Sequence, residues 1–416
     1  MNIRPMHQKA SRRRALPAQL LAISLLIFFV PGSAIADEAN AAESREEDTR
    51  TREQKQQDAI AGMDQAFTAA LERRLAPGFA VALVGRDGAI WTKGYGYADL
   101  AAGREVTPDT PFMLASVSKT FIAAALMSER EQGRLRLDQD INELLPFTVD
   151  NPRVKGERIE VRHVASHTSG IVDHEATLEG SYAPGDPQIE MDEWVGSYLA
   201  KGGSRYRRRG NFKKRMPGEV YVYSNIGAAV GALIVEQTSG MSYRELLRQR
   251  FFEPLGMANT AFNMSEFPPN TVAVPHDREG ELFVAREHYG YPTYADGQLR
   301  SSVNDLSRYL AMMIGDGTFD GKRLLSPESI ETIEAKIHPD RGEGSDTAQA
   351  LYWHLRFDDR VMGHSGGDYG VITFIFYDRR HGLGGVVLVN SSWDGVGELL
   401  GIALQSLTDA SVPFRE

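Results

Sequence analysis

Cysteine is absent from this 416-residue chain. Its absence excludes disulfides, thiolate metal sites, a cysteine nucleophile and a lipid-modified cysteine anchor, so stability rests on the core alone. Also missing are an internal repeat and any long Gln/Asn, Pro or Gly/Ser tract, which sets aside repeat and low-complexity architectures. Positive charge is in deficit. Lys and Arg number 46 against 56 Asp and Glu, a formal net charge of −10. That balance argues against nucleic-acid binding, which needs a basic face for phosphates.

What is present is an ordinary globular composition, 42% hydrophobic and 25% charged. The length suits a large core, in two domains or in one domain with a sizeable insertion. Residues 1–36 read as a secretory signal peptide. Arg4, Lys9, Arg12, Arg13 and Arg14 form a basic start, Leu20 to Val30 an apolar run, and Ala34-Ile35-Ala36 a small-residue cleavage site. The run falls short of the roughly 20 apolar residues of a spanning helix, so no stable membrane insertion is expected after cleavage. Ser11-Arg12-Arg13 leaves the general secretory and twin-arginine routes both open. The expected location is periplasmic or secreted. Cleavage removes five basic residues and takes the net charge to about −15.

Residues 37–57 are almost wholly polar and read as a charged linker, with one large domain over 58–416. An amphipathic helix is expected from about Ile60, on Met63, Phe67, Ala70 and Leu71. Phe79–Val84 and Ile90–Tyr95 flank the turn dipeptide Asp87-Gly88 and predict a hairpin. Val371–Tyr377 and Gly385–Asn390, around the turn 378–382, predict another, and a last helix is expected over Val396 to Leu407. From Leu114 to Glu334 the pattern is mainly helical, with Ser302 to Asp305 as a capping box. These elements predict an α+β fold: one antiparallel sheet built from both chain ends, flanked by helices, with a mainly helical inserted region.

The strongest chemical signal is Ser116-Val117-Ser118-Lys119, opening the apolar helical run Ile122–Leu126. Residues three apart share a helix face, so hydroxyl and amine can meet. The helix N-terminus favours negative charge on the serine oxygen, and an apolar setting lowers the pKa of a lysine. Tyr223-Ser224-Asn225 and Gly363-His364-Ser365-Gly366-Gly367 follow, the latter placed before a strand. The pentapeptide 363–367 also satisfies the nucleophile elbow G-x-S-x-G, but His381 is the sole histidine after it and sits in a turn. His163 and His167 stand four apart with Val at 164, so the zinc pattern H-E-x-x-H fails and no metal is expected.

In this order, Ser116-x-x-Lys119, Tyr223-x-Asn225 and His364-Ser365-Gly366 resemble the serine β-lactamase and penicillin-recognising superfamily. The similar branch holds class C β-lactamases, D-alanyl-D-alanine carboxypeptidases and related esterases. Leu135–Asp138, Leu144–Pro146, His167–Ile171, Glu253–Met257, Gly297–Ser302 and Leu324–Pro327 carry the resemblance further, over about residues 60 to 410. It implies that Ser116 is the nucleophile of an acyl-enzyme and that Lys119 and Tyr223 share the proton transfers. Asn225 would orient Lys119 and the substrate, and the backbone N–H groups of Ser116 and Gly367 would form the oxyanion hole. Together with Asn225, His364, Ser365, Gly366 and Gly367 would bind substrate, a small-molecule or peptide acyl compound, with no cofactor. Ester or amide and peptide bonds are the expected targets. A β-lactamase, a carboxypeptidase, or a sensor that is acylated without turnover are the alternatives.

His364 stands where many such enzymes have a lysine that grips a substrate carboxylate, which shifts the expectation away from β-lactams. One segment opposes the acidic whole. The stretch Lys201 to Arg215, which precedes Tyr223, holds Lys201, Arg205, Arg207, Arg208, Arg209, Lys213, Lys214 and Arg215 and no acidic residue. It reads as a solvated loop near the cleft mouth, or as a patch that attracts anionic substrates.

Overall fold

The apolar run after residue 77 is buried along its whole length, because the strand it forms lies at the centre of a sheet covered on both faces. The computed structural model describes residues 50–338, 348–356 and 359–415. The expected signal peptide and the first part of the expected linker lie outside these.

Eight strands form the main sheet, numbered here in chain order. They are β1 (Gly78–Gly85), β2 (Gly88–Asp99), β3 (Arg104–Glu105), β4 (Ala348–Gln349), β5 (His354–Arg356), β6 (Val361–Asp368), β7 (Val371–Asp378) and β8 (Leu383–Val389). Their spatial order is β4-β5-β6-β7-β8-β1-β2-β3, with every neighbouring pair antiparallel. The two chain ends meet where β1 pairs with β8, in the register Phe79↔Val389 to Val84↔Gly384. Both expected hairpins form, and the sheet is the expected one. The third motif precedes the expected strand, β7, and itself lies inside another: Gly363 to Gly367 are part of β6.

Alternation along the strands sorts side chains between two cores. Phe79, Val81, Leu83, Phe374, Phe376 and Val387 pack against two terminal helices, α1 (Arg52–Glu72) and α5 (Gly395–Ser411). The helix expected from Ile60 therefore starts inside the segment read as linker. Thr51 and Gln54 cap each other reciprocally there, which fixes the first turn. On the opposite face Ala80, Ala82, Val84, Ile375, Val386 and Leu388 join the core of the inserted region. That region contains α2 (Lys119–Glu131), α3 (Asn225–Ser239) and α4 (Val303–Ile314). Ser302 caps α4 by accepting from the Asp305 N–H, at the expected position. Among the described residues no helix is long and apolar enough to cross a membrane.

Candidate active site

Ser116 lies on a tight 3-10 turn, Ala115–Ser118, that runs directly into α2 and brings Lys119 back over the serine. The Lys119 Nζ donates to Ser116 Oγ at 3.0 Å and to the backbone carbonyl oxygen of Asp296 at 2.7 Å. Lys119 is fully buried and Ser116 half-buried, so the amine is shielded while the serine stays partly exposed. Burial lowers the Lys119 pKa, opposed by the charges of Asp296, Asp173 and Asp368.

The turn is held in an unfavourable backbone shape. Ala115 has φ +46°, a left-handed conformation that costs a non-glycine residue free energy and persists only where its surroundings enforce it. Those surroundings are hydrogen bonds to Leu114 on both sides. The Leu114 N–H donates to the Leu299 carbonyl at 2.8 Å, and the Thr373 hydroxyl donates to the Leu114 carbonyl at 2.5 Å. Gly366 on β6 passes so close that a Cβ there would stand 2.3 Å from the Leu114 oxygen and 2.9 Å from the Ser116 nitrogen. Only glycine permits that approach.

Tyr223 approaches from the other side. Lys119 Nζ lies 5.0 Å from its ring centroid, and its ring packs 4.5 Å from that of His167 and 6.4 Å from that of His364. The loop at His167, itself at φ +57°, positions this segment. The His167 carbonyl accepts from the Val222 N–H at 2.7 Å and its Nδ1 from the Ser224 N–H at 3.2 Å.

Asp173 fixes the next step of the chain. Its carboxylate accepts from the Ser224 hydroxyl at 3.0 Å and from the N–H groups of Asn225 and Ile226 at 2.8 and 3.1 Å. An acid over the first turn of α3 complements the helix dipole. Burial nevertheless pushes its pKa up. Asn225, the first residue of α3, is partly exposed, and its carboxamide makes no hydrogen bond among the described residues. The atom that positions Lys119 is the Asp296 carbonyl oxygen instead.

His364 and Ser365 are buried on β6, whereas Gly367 is exposed with open space beside its Cα. The His364 Nδ1 donates to the Ser365 carbonyl at 2.7 Å, and its ring stacks 4.4 Å from that of His354. The imidazole is thus committed to the sheet. The same strand geometry disposes of the elbow reading, since Ser365 pairs with Phe374 in mid-strand and not at a strand-to-helix turn.

Ser116, Lys119, Tyr223, His364 and Gly366 therefore converge from three distant stretches. Two residues absent from the expectation join them. Asp296 acts through its main chain, and its side chain, buried with Oδ2 unpaired among the described residues, has a raised pKa through burial. Thr373 acts through the bond to Leu114. Asp296 adjoins the family-like stretch from Gly297, the only sequence signal for it.

The family model described as Beta-lactamase matches residues 63–403. The chain belongs to the beta-lactamase family. Protein flp of Staphylococcus aureus (strain NCTC 8325 / PS 47) is 24% identical over 331 residues, which is 79% of this chain and 63% of flp. The chain thus spans less than two thirds of that relative. Among solved structures, the octameric penicillin-binding protein homologue from Pyrococcus abyssi aligns with a TM-score of 0.70 at 26% identity. The alignment covers 84% of this chain and 77% of that one. The D-amino acid amidase from Ochrobactrum anthropi SV3 shares the fold, with a TM-score of 0.68 at 23% identity over 85% and 98% of the chains.

Proposed function

We propose that this beta-lactamase-family chain is an exported hydrolase of esters or of amide and peptide bonds, acting through an acyl-enzyme on Ser116. The observation that carries the reading is the buried Lys119 amine, 3.0 Å from Ser116 Oγ and anchored by the Asp296 carbonyl. In the acylation step Ser116 Oγ bonds to the substrate carbonyl carbon, and the hydroxyl proton passes to Lys119. The carbonyl–leaving-group bond then breaks, and the leaving group takes up the proton. Tyr223, whose ring centroid lies 5.0 Å from the Lys119 Nζ, shares this transfer. Water attacks the ester so formed and releases the acid, with the serine proton restored. The N–H groups of Ser116 and Gly367 are assigned to the oxyanion, a contribution of about 3 kcal/mol in comparable sites.

His364 favours esters and amides over β-lactams in this reading. Its ring is stacked on His354 and bonded to the Ser365 carbonyl, so it offers no flexible cation to a substrate carboxylate. Export is supported by the basic, apolar and small-residue order of residues 1–36. A fluorophosphonate probe should label the wild type at Ser116, and p-nitrophenyl esters should turn over faster than nitrocefin. Unchanged labelling and turnover in Ser116→Ala would reject the assignment.

A further inference from the structure

We propose that Asp368, set among Tyr182, Tyr289, Tyr291 and Tyr369, forms a subsite for a substrate ammonium group beside Ser116. The inference rests on the reading above and names the substrate class: acyl compounds bearing an ammonium a few bonds from the scissile carbonyl.

The first argument is position. Asp368 ends β6, one residue after Gly367. Its Oδ2 accepts from the Tyr291 hydroxyl at 3.3 Å. That hydroxyl lies against Gly297, where a Cβ would stand 2.2 Å from it and 3.5 Å from Ala115. One tyrosine thus spans from the carboxylate to the turn that carries Ser116.

The second argument is charge. The Tyr182 hydroxyl donates to both Asp368 oxygens at 3.3 Å, and the Tyr369 N–H donates to Oδ1 at 2.8 Å. No lysine, arginine or histidine pairs with Asp368 among the described residues. The nearby guanidinium of Arg286 lies 4.7 Å above the Tyr369 ring, but its Nη2 is bound to Asp277 at 2.6 Å. Enclosure accordingly pushes the Asp368 pKa up. An enclosed carboxylate served by one backbone N–H and otherwise by long phenol hydrogen bonds, all neutral, is costly, and a cation relieves that cost. A cluster that served packing alone would be as well served by an uncharged side chain.

The third argument is the walls. Tyr182 packs 4.5 Å from Tyr291 and 5.5 Å from both Tyr289 and Tyr369, centroid to centroid. Tyr289 and Tyr291 are buried and form a floor, whereas Tyr182, Asp368 and Tyr369 are partly open to solvent. Aromatic faces and phenol oxygens both attract an ammonium, and a carboxylate among them adds the full charge.

The test pairs a p-nitrophenyl ester whose acyl chain ends in trimethylammonium with its neutral tert-butyl isostere. Calorimetric binding of benzyltrimethylammonium serves as a readout without turnover. The wild type should favour the cationic ester by roughly tenfold in kcat/KM and bind the ammonium probe. In D368N the ratio should fall towards unity with loss of probe binding, and Tyr182→Leu should weaken both. Turnover of both esters at a ratio near unity, or a ratio unmoved by D368N, overturns the subsite alone. If the variants do not fold, the wild-type ratio and probe binding still decide. Probe binding without turnover or fluorophosphonate labelling keeps the subsite and overturns the hydrolase reading.

Discussion

The hydroxyl of Thr373 donates to the Leu114 carbonyl across 2.5 Å, over the bare Cα of Gly366 that separates them. β7 is thereby fastened to the turn that presents Ser116, and the missing side chain at 366 is what lets the bond form. Thr373→Val keeps the shape and removes the donor. It should cost about 1–3 kcal/mol in denaturant unfolding, because a buried carbonyl loses its short partner. It should also slow fluorophosphonate labelling, since the left-handed Ala115 loses a restraint. Wild-type stability together with wild-type labelling would show that this tie does not matter.

Lys119 and Asp296 give a pH prediction. Burial lowers the lysine pKa and raises that of the carboxyl, so both directions favour the uncharged forms. The kcat/KM profile for a neutral ester should therefore ascend below the ordinary lysine value of ~10.4. Asp296 opposes the lowering through its charge, so D296N should move that ascent to lower pH. Stability follows the same sign. In the window between the lowered folded pKa and the unfolded value, the unfolded chain binds the extra proton, so this lysine's destabilising contribution shrinks as pH rises. Lys119→Arg, with a group that stays protonated, should lose roughly a thousandfold in kcat. An ascent that stays fixed in D296N would remove Asp296 from the electrostatics of the site.

How much of this was legible in the sequence depended on how each residue acts. Phe79–Val84 and Val371–Tyr377 are β-branched or apolar runs beside turn signals, and both appeared as strands where expected. β6 carries no β-branched run over Gly363, Gly366 and Gly367, so composition did not mark it as a strand, although at 366 glycine is required by close approach to the Ser116 turn. The start of α1 at Arg52 was hidden in a charged stretch, though Thr51 and Gln54 carried its capping signature. Ser116, Lys119 and Tyr223 announced themselves through side-chain chemistry. Asp296 contributes a backbone carbonyl, which any residue type supplies, so no pattern marks it. Tyr182 and Asp368, 186 residues apart, meet through the fold alone.

Replacing His364 tests why β-lactams should be poor substrates. The ring is fixed by its bond to the Ser365 carbonyl and by its stack on His354. Lysine would exchange a fixed ring for a long stem with a mobile ammonium. His364→Lys should raise relative turnover of nitrocefin, or of a peptide with a free C-terminal carboxylate, by about tenfold over a p-nitrophenyl ester. That factor corresponds to ~1.4 kcal/mol, a modest charge-assisted contact. Loss of the imidazole stack should lower thermal stability at the same time. A ratio that stays constant while the variant remains folded would separate residue 364 from carboxylate recognition.

The basic segment is anchored more firmly than a solvated loop requires. Phe212 is buried, and the Asn211 side chain donates to the Tyr198 carbonyl at 2.7 Å. The Asn211 carbonyl accepts from the Val172 N–H at 3.0 Å, and the Lys213 N–H donates to the Gly170 carbonyl at 2.8 Å. These bonds tie the segment to the strip ending at Asp173, which in turn holds the start of α3 at Asn225. Arg207, Arg208 and Arg209 are left exposed on this fixed base. Fixed cations near a cleft raise the local concentration of anionic substrates, and salt screens them over about 8 Å at physiological strength. Replacing all three by glutamine should lower kcat/KM for an anionic ester at low salt several-fold and flatten its salt dependence. The same variant should leave the neutral isostere unaffected at every salt concentration. If both esters keep the wild-type salt slope, the arginines face solvent without steering substrate.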